Sequence, residues 1–92
     1  MSDIEFVINH SKEIEKILYS EFNAEGKGIH EKLSTIETKL PVELCKDIRY
    51  IATIRNKIVH EEEYKKLEDK QKFNDLCNKV KIKLRDCVKT TL

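Results

Sequence analysis

Apolar residues recur every three or four positions along most of this chain, and both glycines and the single proline lie outside those stretches. The spacing is that of one face of an α-helix, and Gly and Pro are the residues that helix interiors exclude. The first stretch, from Asp3 to Phe22, carries Ile4, Val7, Ile8, Ile14, Ile17, Leu18 and Phe22, with Ser2 or Asp3 placed to cap its start. The run Asn23-Ala24-Glu25-Gly26-Lys27-Gly28 holds both glycines, which are expected to end that helix. A second helix is predicted from Ile29 to Lys39 on Ile29, Leu33, Ile36 and Leu40. Pro41 is disruptive inside a helix but welcome in its first turn, so a third helix is predicted from Pro41 to near Val59. The charged stretch from His60 to Lys72 fits a loop, a helical turn or an early start of the next helix. Phe73, Leu76, Cys77, Val80, Leu84, Cys87 and Val88 form the last stripe.

Four amphipathic helices with short connections imply an all-α, antiparallel four-helix bundle, one domain over residues 1–92. Burial of each large aliphatic side chain stabilises by roughly 1.5–3 kcal/mol. The entropy cost of ordering the chain is of similar size, so the net stability of so short a chain is small. Such chains often gain support from a disulfide, a metal or a second subunit. Cys45, Cys77 and Cys87 are odd in number and make no C-x-x-C pair, and His10, His30 and His60 lie far apart, so no zinc spacing exists. No metal or cofactor is implied, and a homodimer is the remaining support.

Net charge is +1, which excludes a polybasic nucleic-acid coat and makes any such binding local. The charge is uneven: Asp3, Glu5, Glu13, Glu15 and Glu21 crowd the start, and Lys79, Lys81, Lys83, Arg85 and Lys89 the end. No apolar run approaches the ~20 residues of a membrane span. The opening Met-Ser-Asp-Ile-Glu lacks a signal-peptide core, and free cysteines fit a reducing compartment, so a cytoplasmic location is expected.

One residue breaks the pattern of the third helix. At 100° per residue from Leu44, Ile51 falls at about 340°, Ile48 at about 40° and Arg55 at about 20°. Arg55 thus sits inside the apolar arc. Arginine does not escape burial by losing its proton, so it needs an anion, a carboxylate partner or a water-filled cleft. Glu13, Glu15 and Glu43 are the candidate structural partners. His60 lies about 140° from Arg55 on an ideal helix, off its face. Either the helix loosens near His60, or another chain completes the pair; otherwise His60 is a capping or exposed histidine. Asn56 shares the side of His60.

Arg55-Asn56-Lys57-Ile58-Val59-His60 reads R-N-x3-H, and with the flanking Ile48-Arg49-Tyr50-Ile51-Ala52-Thr53-Ile54 and Glu61 it resembles the HEPN superfamily, whose motif is R-x(4–6)-H. The resemblance extends to the four-helix pattern and so covers most of the chain. It implies an all-α bundle that dimerises, with the motifs of two subunits meeting to form a composite site. Many members of that family are metal-independent ribonucleases of toxin–antitoxin, phage-defence or RNA-processing systems, and others bind RNA, a nucleotide or a protein partner without catalysis. The chain is short for the family and lacks accessory helices. The variant in which a tyrosine follows the histidine at the second position is not met, since residue 62 is Glu and the next tyrosine is Tyr64.

In the ribonuclease reading the 2′-hydroxyl of RNA is the nucleophile. Histidine, with an unperturbed pKa of ~6.5, suits the proton steps, which assigns them to His60. Arg55 suits the phosphate with a fixed charge and a planar fork of donors, and Asn56 orients His60 or holds a phosphate oxygen. An antitoxin protein is then an expected partner. Lys57, Lys81 and Arg85 are weaker candidates for guiding the RNA backbone, against the plainer reading of a solvated face. Tyr50 is a candidate for base stacking, against bundle packing. The cysteines read as small core residues.

Overall fold

The computed structural model describes residues 1–90. Helices α1 (Asp3–Phe22), α2 (Gly28–Ile36), α3 (Val42–His60) and α4 (Lys70–Thr90) form an all-α bundle, and a 3-10 turn at Glu37–Lys39 follows α2. Both α1 and α3 pack against α2 and against α4, so they form the central pair. The predicted stripes supply the core. Val7, Ile14 and Leu18 of α1, Leu33 of α2, Ile48, Ile51 and Ile58 of α3, and Cys77, Val80 and Leu84 of α4 are fully buried. Among the described residues no helix is long and apolar enough to cross a membrane.

The helix ends follow local chemistry. Ser2 caps α1, its side chain accepting the Glu5 N–H at 3.2 Å while its hydroxyl donates to the Glu5 carboxylate. At the other end Asn23, not a glycine, takes the left-handed conformation (φ 55°), and the Ala24 N–H closes onto the Leu18 carbonyl at 3.1 Å. The glycines are used later. Gly26 (φ 123°) lies so close to α2 that a Cβ there would meet the Glu31 Cβ at 2.6 Å. Residues 37–39 leave the predicted second helix as the 3-10 turn, and Pro41 stands at the N-cap of α3. Residues 61–69 are not helical. Asp3 ties this segment down, accepting the Leu67 N–H at 2.9 Å and pairing with Lys70 at 3.6 Å. Asp69 then caps α4 by accepting the Lys72 N–H at 3.0 Å.

The contact between α1 and α4 contains a polar cluster. Lys81 is only 7% exposed. It donates to the Glu13 carboxylate and, at 2.8 Å, to His10 Nδ1. An ammonium can only donate, so His10 Nδ1 is the acceptor and His10 Nε2–H donates to Asn74 Oδ1 at 3.1 Å. The rings of Phe6 and Phe73 meet the His10 ring edge-on, with centroids at 4.7 and 6.1 Å. Lys81 is therefore not one of an exposed basic row available to RNA. Its wheel position beside Cys77 and Leu84 turns it inward, and the low-dielectric contact obliges it to take partners.

This cluster gives the fold an acid sensitivity. Burial, then the nearby Lys81 charge, push the His10 pKa below its ordinary 6.5, against the smaller opposing effects of Asn74 and Glu13. Below pH 6.5 the unfolded chain takes up a proton that the folded chain resists. The contribution of His10 is thus complete above that value and is lost as pH falls through the folded-state pKa. Glu13 acts in the same direction at lower pH, since its hydrogen bond from Lys81 holds it below the ordinary 4.5. We expect the denaturation midpoint to fall from pH 7 to pH 5, and His10→Gln to flatten that slope. An unchanged slope in His10→Gln would remove the histidine from this account.

Candidate functional site

A cavity of about 460 Å³ lies between α1, α2 and α3. Ser11 and Glu15 line it from α1, and Ala52, Arg55 and Asn56 from α3. The remaining wall is the start of α2, from Lys27 through Gly28, Ile29 and His30 to Glu31. Arg55 is thus delivered to a cleft rather than into the close-packed core, and it is half-buried there. Its side chain donates to Asn56 Oδ1 at 3.3 Å. No carboxylate among the described residues pairs with it. The three structural candidates are each engaged elsewhere: Glu13 by Lys81, Glu15 by Lys32 at 3.3 Å and Glu43 by Lys46 at 3.6 Å. An unneutralised guanidinium beside a cavity is suited to an anion.

Two further features of this wall were not legible as site features in the sequence. His30, half-buried, accepts from Arg49 through Nδ1 at 3.2 Å, and Arg49 also reaches Ser34 (3.2 Å) and Glu37 (2.8 Å). Because the guanidinium only donates, this contact places the His30 proton on Nε2. Ser11 is 4% exposed, and its hydroxyl has no protein partner. A serine among apolar residues at helical spacing reads as a tolerated small residue, and only the packing of three helices shows that it is an orphaned donor and acceptor.

His60 stands apart. Helix α3 stays regular to its last residue, with the Glu61 N–H bonding the Lys57 carbonyl at 2.9 Å, so no loosening swings His60 toward Arg55. His60 is exposed and does not line the cavity. Lys57 and Arg85 are exposed, and the Lys57 ammonium lies 5.9 Å from the centre of the Tyr64 ring. Tyr50 is exposed and lines a different cavity, of about 560 Å³, with Tyr64, Leu67 and Phe73. Within one chain the structure therefore joins Arg55 with Asn56, leaves His60 one turn beyond Asn56 but off the face of Arg55 and outside the cavity, and does not bring Tyr50 to them. Cys77 is a core residue whose thiol burial pushes up to about 12, so it is protonated at neutral pH. Among the described residues no group of three or more His, Cys, Asp or Glu side chains is placed to hold a metal ion. No protein-family model, curated protein or solved structure matches the chain.

An orphaned buried hydroxyl costs stability that a methyl group of similar size does not. Ser11→Ala should therefore raise the stability of the isolated protein by about 1 kcal/mol in a urea titration, helped by the better helix propensity of alanine. A loss of stability would show that the hydroxyl is satisfied in solution.

Proposed function

We propose that this chain is a HEPN-type domain that acts on RNA as a metal-independent endoribonuclease, with its site completed by a second copy of the chain. The observation that carries the reading is Arg55: a half-buried guanidinium at a cavity, beside Asn56, with no carboxylate among the described residues in salt-bridge contact. Such a group is fitted to the charge that builds on a phosphate in a transition state. The R-N-x3-H resemblance supplies the reaction class. The 2′-hydroxyl of RNA attacks the adjacent phosphorus as its proton passes to a base. The P–O5′ bond breaks as the leaving oxygen gains a proton, giving a 2′,3′-cyclic phosphate and a 5′-hydroxyl. His60 is assigned the proton steps, Arg55 the phosphate, and Asn56 the orientation of one or the other. Because the helix is regular between Arg55 and His60, the reading places the His60 of one copy near the Arg55 of its partner across a homodimer. In a toxin or defence setting, an antitoxin protein would act by covering this site.

A second reading is favoured by the position of His60 outside the cavity. In it the chain is a non-catalytic HEPN-like module that binds RNA, a nucleotide or a protein partner through Arg55 and Asn56. One experiment separates the two. The purified protein is incubated with structured and unstructured RNA in excess chelator, alongside Arg55→Ala and His60→Ala. The ribonuclease reading expects 2′,3′-cyclic ends from the parent protein, with a loss of about a hundredfold or more in each variant. RNA binding without turnover, lost in Arg55→Ala and kept in His60→Ala, selects the second reading. Equal cleavage by all three proteins would defeat the assignment of these residues.

A further inference from the structure

The wall of the cavity opposite Arg55 is the start of α2, and that helix begins without a cap. Its N-cap residue, Lys27, has the extended backbone of a capping position (φ −96°, ψ 124°) but a side chain that cannot accept an amide hydrogen bond, and no side-chain cap is made. The first amides of a helix have no partner inside it, and they carry the positive end of its dipole. Here they belong to Gly28, Ile29 and His30, which line the cavity. Gly28 has φ 73°, and a Cβ added to it would meet nothing within 4 Å. The backbone at this point is therefore bare and has open space before it.

The second observation is independent of the helix end. Ser11 lines the same cavity from α1, more than nine-tenths buried, with a hydroxyl that has no protein partner. Arg55 lines it from α3 with no carboxylate in salt-bridge contact. Three elements thus bring unsatisfied donors to one space: backbone amides, a hydroxyl and a guanidinium. Two carboxylates oppose an anion there. Glu15 is countered by Lys32, whose ammonium also donates to the Gly26 carbonyl at 2.7 Å and so holds the loop entering α2. Glu31 is exposed on the first turn of α2.

We propose that this cavity is a binding site for a phosphomonoester, held by the α2 amides, the Ser11 hydroxyl and Arg55. The proposal goes beyond the reaction described above and shares only Arg55 with it. A terminal phosphate offers three oxygens, enough to meet donors from three helices at once, and it carries the charge that a helix N-terminus favours. A phosphodiester inside an RNA strand has two free oxygens and a single charge, and fits this donor set less well. The natural source is either the phosphorylated end of an RNA or a free nucleotide.

The test is a titration of the full chain with inorganic phosphate, read by amide and arginine side-chain NMR shifts, against chloride at matched ionic strength. Saturable shifts are expected at Gly28, Ile29, His30 and Arg55. Lys27→Asp supplies the missing cap, so its own carboxylate occupies the amides; it should weaken phosphate binding about tenfold or more while the fold persists. Ser11→Ala should weaken it by about threefold to tenfold and is available should Lys27→Asp misfold. The parent protein's own behaviour separates this site from the cleavage reaction: saturable phosphate binding in a protein that cuts no RNA overturns only the nuclease reading. A 5′-phosphorylated oligoribonucleotide binding better than its 5′-hydroxyl counterpart and than AMP identifies an RNA terminus, whereas displacement of phosphate by AMP at equal or lower concentration identifies a nucleotide. The proposal is overturned by phosphate shifts no larger than those with chloride, by undiminished binding in Lys27→Asp and Ser11→Ala, or by failure of both AMP and 5′-phosphorylated RNA to compete with phosphate.

Discussion

Inward-facing cations in this bundle take carboxylates from the elements they face, whereas Arg55 at the cavity takes none, and the character of the candidate site follows from that difference. Lys81 takes Glu13, Lys32 takes Glu15 and Lys46 takes Glu43. The three are not equivalent. Lys46 and Glu43 are exposed neighbours on one helix turn, and such a pair is worth a few tenths of a kcal/mol. Lys32 and Glu15 join α2 to α1 at the edge of the cavity. Lys81 is buried against α1, where an ammonium without partners would be far more costly than any surface pair is favourable. The strongest constraint is therefore on Glu13, whose loss would strand the buried Lys81. Of the three carboxylates only Glu15 lines the cavity with Arg55, so the pairing that bears on the charge there is that of Lys32 with Glu15.

The same reasoning explains how far the sequence could be read. Helical spacing identifies all four helices because the stripes are continuous, and each stripe has to face the others for a chain this short to bury a core. The ends were legible where a side chain acts on its own turn, as with Ser2 and Pro41. The first helix ends at Phe22 as its spacing predicts, but which residue of the following stretch closes it was not legible. Asn23 takes the left-handed position that glycine usually fills, and the glycines three and five residues later shape the entry to α2 instead. The stretch after His60 was ambiguous because its order comes from Asp3, sixty-four residues away from Leu67, and no local pattern encodes that bond.

Arg55 and Lys81 make an instructive pair. Each lies on the apolar arc of its helix, and the wheel that singles out Arg55 applies equally to Lys81, which shares an arc with Cys77, Val80 and Leu84. Reading Lys81 as part of a basic surface row attended to its charge and to the charges around it rather than to its angle. What no single-helix argument supplies is the partner. Lys81 meets a carboxylate and an imidazole across the interface and becomes structural, whereas Arg55 meets a cavity. The arc tells that a charge is inward; only the facing helices tell whether it is satisfied.

The site also carries costs that a bundle selected for stability alone would shed. A helix start without a cap forgoes about 1 kcal/mol, and a buried hydroxyl without a partner costs a comparable amount. Each is removed by a single substitution that leaves the core untouched, and for a domain of this length each is a sizeable part of the net stability. Two such defects at unrelated positions would be unremarkable. Here they border one cavity, together with the Arg55 guanidinium. A ligand that satisfied all three at once would recover that stability, and by linkage would couple occupancy of the cavity to the folding of α1, α2 and α3. In a chain this short, where each kilocalorie is a sizeable part of the net, such coupling would make the folded population respond to the ligand, whatever chemistry the bound state performs.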